Sequence, residues 1–109
     1  MSIAQLIRSF SASRVNPYLT PSKVLNNPNA DGTSDNDFFG YSVAISGNLA
    51  VIGSDFEDDA GGTQSGKAYI FDATTGSLLH TLHNPNAYDT SDSDYFGYSV
   101  AISGNYAVV

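Results

Sequence analysis

The chain has no cysteine, no tryptophan, a single methionine and only four basic residues among 109. The lack of cysteine excludes a disulfide scaffold, a thiolate zinc site and a cysteine nucleophile. No apolar run approaches the roughly 18 residues that a membrane-spanning helix requires. Charge of either sign is scarce at 14%, and it is unevenly placed. Arg8, Arg14 and Lys23 lie within residues 1–30, which hold no acid, while all eleven acids follow, against Lys67 alone. The net charge of −7 repels phosphate backbones and anionic bilayers, so neither nucleic acid nor membrane insertion is expected. Divalent cations and basic surfaces are the partners such a charge admits. Glutamate is nearly missing too, with Glu57 against ten aspartates. Asp, Ser, Asn and Gly favour turns, so the composition points to short strands joined by polar loops.

What is present in force is repetition. Asn27-Pro28-Asn29-Ala30 returns as Asn84-Pro85-Asn86-Ala87, and Phe39-Gly40 returns as Phe96-Gly97, both 57 residues on. Residues 25–52 and 82–109 agree at 21 of 28 positions, with an unbroken run from Phe39 to Asn48 against Phe96 to Asn105. A period of that length lies near that of propeller blades and well above that of a single solenoid coil. Each period carries four strand signals. Phe39 to Ser46 alternates large and small residues, and Leu49 to Ile52 follows through a Ser46-Gly47-Asn48 hairpin turn, where Gly and Asn accept positive φ. Lys67 to Phe71 and Ser77 to Leu82 are the third and fourth strands, joined by the turn Asp72-Ala73-Thr74-Thr75-Gly76. Four short antiparallel strands, apolar on both faces, need neighbouring sheets on both sides. Tyr41, Tyr69, Phe71 and Tyr98 are expected to pack between blades.

The first residues differ from the rest. Ile3, Leu6, Ile7 and Phe10 recur at helical spacing, among serines and arginines and without acids. Residues 1–14 are therefore loosely similar to an organelle transit peptide, the alternative being a disordered lead-in to the repeats over 1–21; there is no secretory signal pattern.

Phe39-Gly40 followed by Ser-Val-Ala-Ile, a second strand ending at Gly53, and Ser65-Gly66-Lys67-Ala68-Tyr69-Ile70-Phe71 resemble the FG-GAP repeat in its bacterial, short-turn form. The resemblance implies an all-β fold of four-stranded propeller blades, here about two repeats of a larger ring, seven-bladed as in integrin α-chain heads. It divides the chain into a lead-in over 1–21, the end of a preceding blade and an inter-blade loop over 22–37, a complete blade over 38–83, and a loop with the first two strands of the next blade over 84–109. A fragment of a longer ring is the expectation, and a ring completed from several chains the alternative. The sequence departs from the family at the "GAP" position, where Gly53-Ser54-Asp55 keeps only the glycine. It departs again at Ser46-Gly47-Asn48, too short and uncharged to hold the family's calcium.

In such a blade the long connections emerge on one face, and here both are rich in aspartate. The resemblance implies that this face contacts a protein or carbohydrate ligand, through Asp55, Asp58, Asp59 and Asp89, at an extracellular or cell-surface location. Asp35 and Asp37, repeated as Asp92 and Asp94, stand two apart in segments read as extended, where both carboxylates of a pair would share a side and could hold Ca2+. Turn formation and solubility are the competing account of these aspartates, and neither loop has the order of an EF-hand. His80 alternates with Leu78 and Leu82, as a packed or edge histidine does, and no nucleophile elbow or phosphate loop is present. A non-catalytic binding or adhesion module is the reading, with a structural spacer or self-assembling array as the alternative. An enzyme propeller of the quinoprotein type, suggested by Lys67 to Gly76, is weakened by the lack of tryptophan.

Overall fold

A computed structural model describes residues 5–7, 21–29, 35–58, 62–86 and 91–109, and all of its regular structure is antiparallel strand. A hairpin of β1 (Gln5–Ile7) and β2 (Pro21–Val24) comes first. A four-stranded meander follows, made of β3 (Val43–Ser46), β4 (Leu49–Ser54), β5 (Lys67–Asp72) and β6 (Leu78–His83) in that order. A last hairpin joins β7 (Ala101–Ser103) to β8 (Tyr106–Val108). The middle sheet has the four antiparallel strands that one blade would have, and β7–β8 repeats three of the four β3–β4 pairings in the same register. Gln5–Ile7 is a strand where the apolar spacing suggested a helix. Helical spacing of four apolar residues could not compete with a hairpin partner at Pro21–Val24. Ile3 and Phe10 lie outside the described residues.

Strand 1 of the middle sheet is shorter than its alternation promised. Phe39 to Ser42 form turns and bends, because Gly40 takes φ 87° and Phe38 φ 59°, which break an extended run. The segment stays attached to β4 nonetheless, through Gly40 N–H to the Gly53 carbonyl at 3.0 Å and Gly53 N–H to the Ser42 carbonyl at 2.8 Å. The β3–β4 turn carries positive φ at Gly47 and not at Asn48, as a type II′ hairpin does. Between β5 and β6, Asp72 Oδ1 accepts from the Thr74 N–H at 2.8 Å and from the Thr74 hydroxyl at 2.5 Å, closing an Asx turn.

The core lies on one face of the middle sheet. Ala50, Ile52, Tyr69, Phe71 and Ala73 pack with Leu25, which follows β2, and Phe39 closes over Tyr69 and Phe71 at centroid distances of 5.9 and 6.1 Å. Val43 and Ile45, on β3 opposite Ile52 and Ala50 of β4, remain 43% and 52% exposed.

Beside this core sits a buried polar network. Lys67, Tyr69 and Glu57 are all 0% exposed. The Tyr69 hydroxyl donates to the Glu57 carboxylate, 2.6 Å from Oε1 and 2.5 Å from Oε2. Lys67 Nζ lies 3.9 Å from Glu57 Oε1 and donates to the Asp58 carbonyl at 2.6 Å. The network ties the loop after β4 to the start of β5. Removing the carboxylate takes a counter-charge away from a buried ammonium. Glu57→Ala is therefore expected to cost about 3–5 kcal/mol in urea denaturation, and Tyr69→Phe about 1–3 kcal/mol. Unchanged midpoints in both variants would rule the network out as a stabilising element.

Candidate binding face

The two long connections meet and are sewn together by backbone. Ser93 N–H donates to the Thr63 carbonyl at 3.0 Å, Tyr95 N–H to Gln64 at 3.2 Å and Phe96 N–H to Ser65 at 2.8 Å. Gly66, at φ +86°, forms a parallel bridge with Phe96, and a Cβ there would collide with the Phe96 backbone. The loops thus form one surface, as the alternating-face geometry of a blade requires.

The aspartates on that surface serve mainly as acceptors for the loops themselves. Asn27 Nδ2 donates to Asp37 Oδ2 at 3.2 Å. In the second copy Asn84 Nδ2 and Asn86 Nδ2 donate to Asp94 Oδ2 at 2.9 and 2.8 Å. The repeated Asn-Pro-Asn is in this way a clamp on the repeated aspartate ten residues later. Asp92 Oδ1 accepts the Thr63 N–H at 2.8 Å, and Asp58 Oδ1 accepts the Gln64 N–H at 2.8 Å. The pairs expected to lie two apart on an extended segment do not. Asn36 and Ser93, the residues between, sit at φ 60°, which turns the chain and separates an exposed Asp35 from a buried Asp37. Among the described residues no group of three or more carboxylate or histidine side chains is gathered for a metal. Asp55 is 1% exposed and lies inside, Asp58 is on the surface, and Asp59 and Asp89 fall outside the described residues. His80 is exposed on the edge strand β6.

Tyr41 and Tyr98, expected to pack between blades, meet across the repeats but stay largely exposed, in a larger aromatic group that the sequence reading did not assemble. Phe38 and Phe56 lie 4.5 Å apart by centroid, Phe56 and Tyr95 5.1 Å, Phe38 and Tyr41 6.3 Å, and Tyr41 and Tyr98 5.4 Å. Five rings form a continuous strip across both repeats, with Phe38 matching Tyr95 and Tyr41 matching Tyr98 at the 57-residue offset. Phe38, Tyr41 and Tyr98 are 45%, 55% and 59% exposed. Hydrogen bonding to Tyr98 and, next, the charge of that neighbour raise the Tyr41 hydroxyl above its ordinary pKa. The signal was available as the pairs Phe38-Phe39 and Tyr95-Phe96, but nothing in the spacing shows that Phe56 bridges them.

Burial raises the carboxyls of Asp37 and Asp55 above 3.8, more than the Asn27 hydrogen bond lowers the first or its own N–H lowers the second. The folded chain then holds more protons than the unfolded one just above that value. These two groups consequently cost stability progressively as pH rises from 3.8 through their raised folded values. Asp72, lowered first by the Thr74 hydroxyl, acts in the opposite sense and loses its contribution as pH falls through its folded value. A variant carrying Asp37→Asn and Asp55→Asn is expected to gain on the native chain in melting temperature as pH rises from the carboxylate range to neutral. Parallel pH profiles for the two proteins would refute it.

A family model described as the FG-GAP repeat matches residues 29–71 and again residues 86–109. No curated protein and no solved structure matches the chain. The two matched spans cover more than half of the 109 residues, and they take in both Phe-Gly turns, β3, β4, β5 up to Phe71, and β7–β8. The chain is a member of the FG-GAP repeat family.

Proposed function

We propose that the chain is part of a non-catalytic β-propeller, that it binds a protein or other ligand on its loop face, and that it works outside the cell or on its surface. The observation that carries this reading is the aromatic strip, with Tyr41 and Tyr98 exposed at its rim. Tyrosine brings a large apolar area and a polar tip at low entropic cost, which is why it concentrates at protein interfaces. The strip is set in loops braced by backbone and asparagine clamps, so its rings are positioned before any ligand arrives. The surrounding acidic loops would favour a ligand with a basic element. Calcium enters this proposal as an ion at Asp35 and Asp37 or at their repeats Asp92 and Asp94, of which all but Asp37 are exposed.

The test is selection of peptides from a displayed library on the native chain, followed by titration against a variant carrying Tyr41→Ala and Tyr98→Ala. Affinity is expected to fall roughly tenfold or more. Titrations with added calcium and with a chelator give the contribution of the ion. Peptides that bind the variant as well as the native chain would sink the loop-face reading.

A further inference from the structure

Tyr41 and Tyr98 stand at the same place in successive repeats, each directly after a Phe-Gly pair. Matching backbone turns set their rings. The Tyr41 N–H donates to the Phe38 carbonyl and the Tyr98 N–H to the Tyr95 carbonyl, both at 2.9 Å. The Ser42 hydroxyl, next to Tyr41, donates to the Gly97 carbonyl, next to Tyr98, at 2.7 Å. The two turns are joined in this way, and the rings meet at a centroid distance of 5.4 Å with 40° between their planes. Their hydroxyls are hydrogen-bonded to one another, so the edges that approach are those bearing the oxygens. Both rings remain open to solvent, at 55% and 59% exposure. A second observation is what the chain lacks. Cysteine and tryptophan, which compete with tyrosine as one-electron donors, are absent, and the single methionine is Met1.

We propose that Tyr41 and Tyr98 form an oxidative cross-linking site, at which hydrogen peroxide acting through a haem peroxidase couples the two rings into a dityrosine. Each phenol gives up one electron and its hydroxyl proton and becomes a phenoxyl radical, with spin density on the carbons ortho to oxygen. Two such carbons, one from each ring, join in a new C–C bond. Each then releases its hydrogen as a proton and each oxygen takes one up, which restores both phenols. In sum the pair loses two hydrogen atoms, and these reduce one hydrogen peroxide to two waters. Coupling between rings already in contact is unimolecular, so in dilute solution it outruns coupling between chains. The bond ties one Phe-Gly turn covalently to the next, in a chain where no disulfide can do so. Exposure by itself would favour Tyr106, at 81%, over either member of the pair. Tyr69 is sealed from oxidants, with its hydroxyl on Glu57. The proposal does not rest on the loop-face reading.

The placement of Lys67 between the two tyrosines makes the bond directly testable. Native chain in dilute solution is treated with hydrogen peroxide and a haem peroxidase, then unfolded and cut with trypsin. Tyr41 is the sole tyrosine of the fragment 24–67, and Tyr98 lies in the fragment 68–109. The oxidised chain is expected to stay at 11.5 kDa, to show dityrosine fluorescence and to have lost two hydrogens in mass. After cleavage the two fragments are expected to remain joined. Tyr41→Phe and Tyr98→Phe keep a ring in each place and remove one phenol, and each is expected to abolish the joined species. Tyr106→Phe is expected to leave its yield unchanged. Joined fragments that survive Tyr98→Phe, or that fall away with Tyr106→Phe, would overturn the proposal. So would coupling found only between chains, or an equal yield from chain oxidised while unfolded in urea.

Discussion

The arrangement of the repeats depends on one close approach of backbone to backbone. The carbonyl of Gly97, in the second Phe-Gly turn, accepts a hydrogen bond from the Ser42 hydroxyl at 2.7 Å, across the first. Gly97 sits at φ +94°, where a Cβ would collide with the Lys67 carbonyl, and a Cβ on Gly53 would collide with the Gly97 carbonyl. Two glycines facing one another therefore set the spacing between successive sheets, and the turn enters a slot that side chains would close. This accounts for the retention of Gly53 when the rest of its motif is lost. The position is held by contact with the next repeat and not by anything within its own strand.

Close packing of that kind has a consequence for the polar groups beneath it. Lys67 contributes its carbonyl to the wall facing Gly97 while its side chain runs back to Asp58 and Glu57 inside the loop. The one lysine of residues 31–109 and the chain's one glutamate are thereby both sealed from water. Neither could be buried alone, since an isolated charge in such a site is far too costly. The network consequently fixes the path of residues 54–58, and with it the positions of Phe56 and of the loop surface above.

Much of the fold was legible in the sequence because it is written twice. The 57-residue repeat locates the middle sheet, its turns and the β7–β8 hairpin, and the agreement of local turn chemistry with the global pattern makes the reading firm. What was not legible lay in a hairpin outside the repeat and in backbone conformations that the residue pattern does not announce. Gln5–Ile7 is too short to show strand periodicity, and its hairpin partner is separated by a segment with no counterpart in the repeat. The positive φ of Asn36 and Ser93 reverses the sense of an alternation that is valid only in extended chain. That is why Asp35 and Asp37 looked like paired ligands and prove to be one exposed group and one clamped group.

The same aspartates that suggested a metal explain why the aromatic strip can be exposed. Large rings in loops tend to collapse inward unless the backbone beneath them is fixed by other means. Here Phe38 and Tyr95 both occupy left-handed conformations that bulky residues rarely adopt, at φ 59° and 57°. Each stands immediately after a clamped aspartate, Asp37 or Asp94, whose asparagine donors stiffen the preceding turn. Strain of this type persists only where surrounding bonds over-determine it, and it gathers at functional surfaces. The acidic residues thus act on the aromatic strip indirectly, by holding the turns from which its rings project.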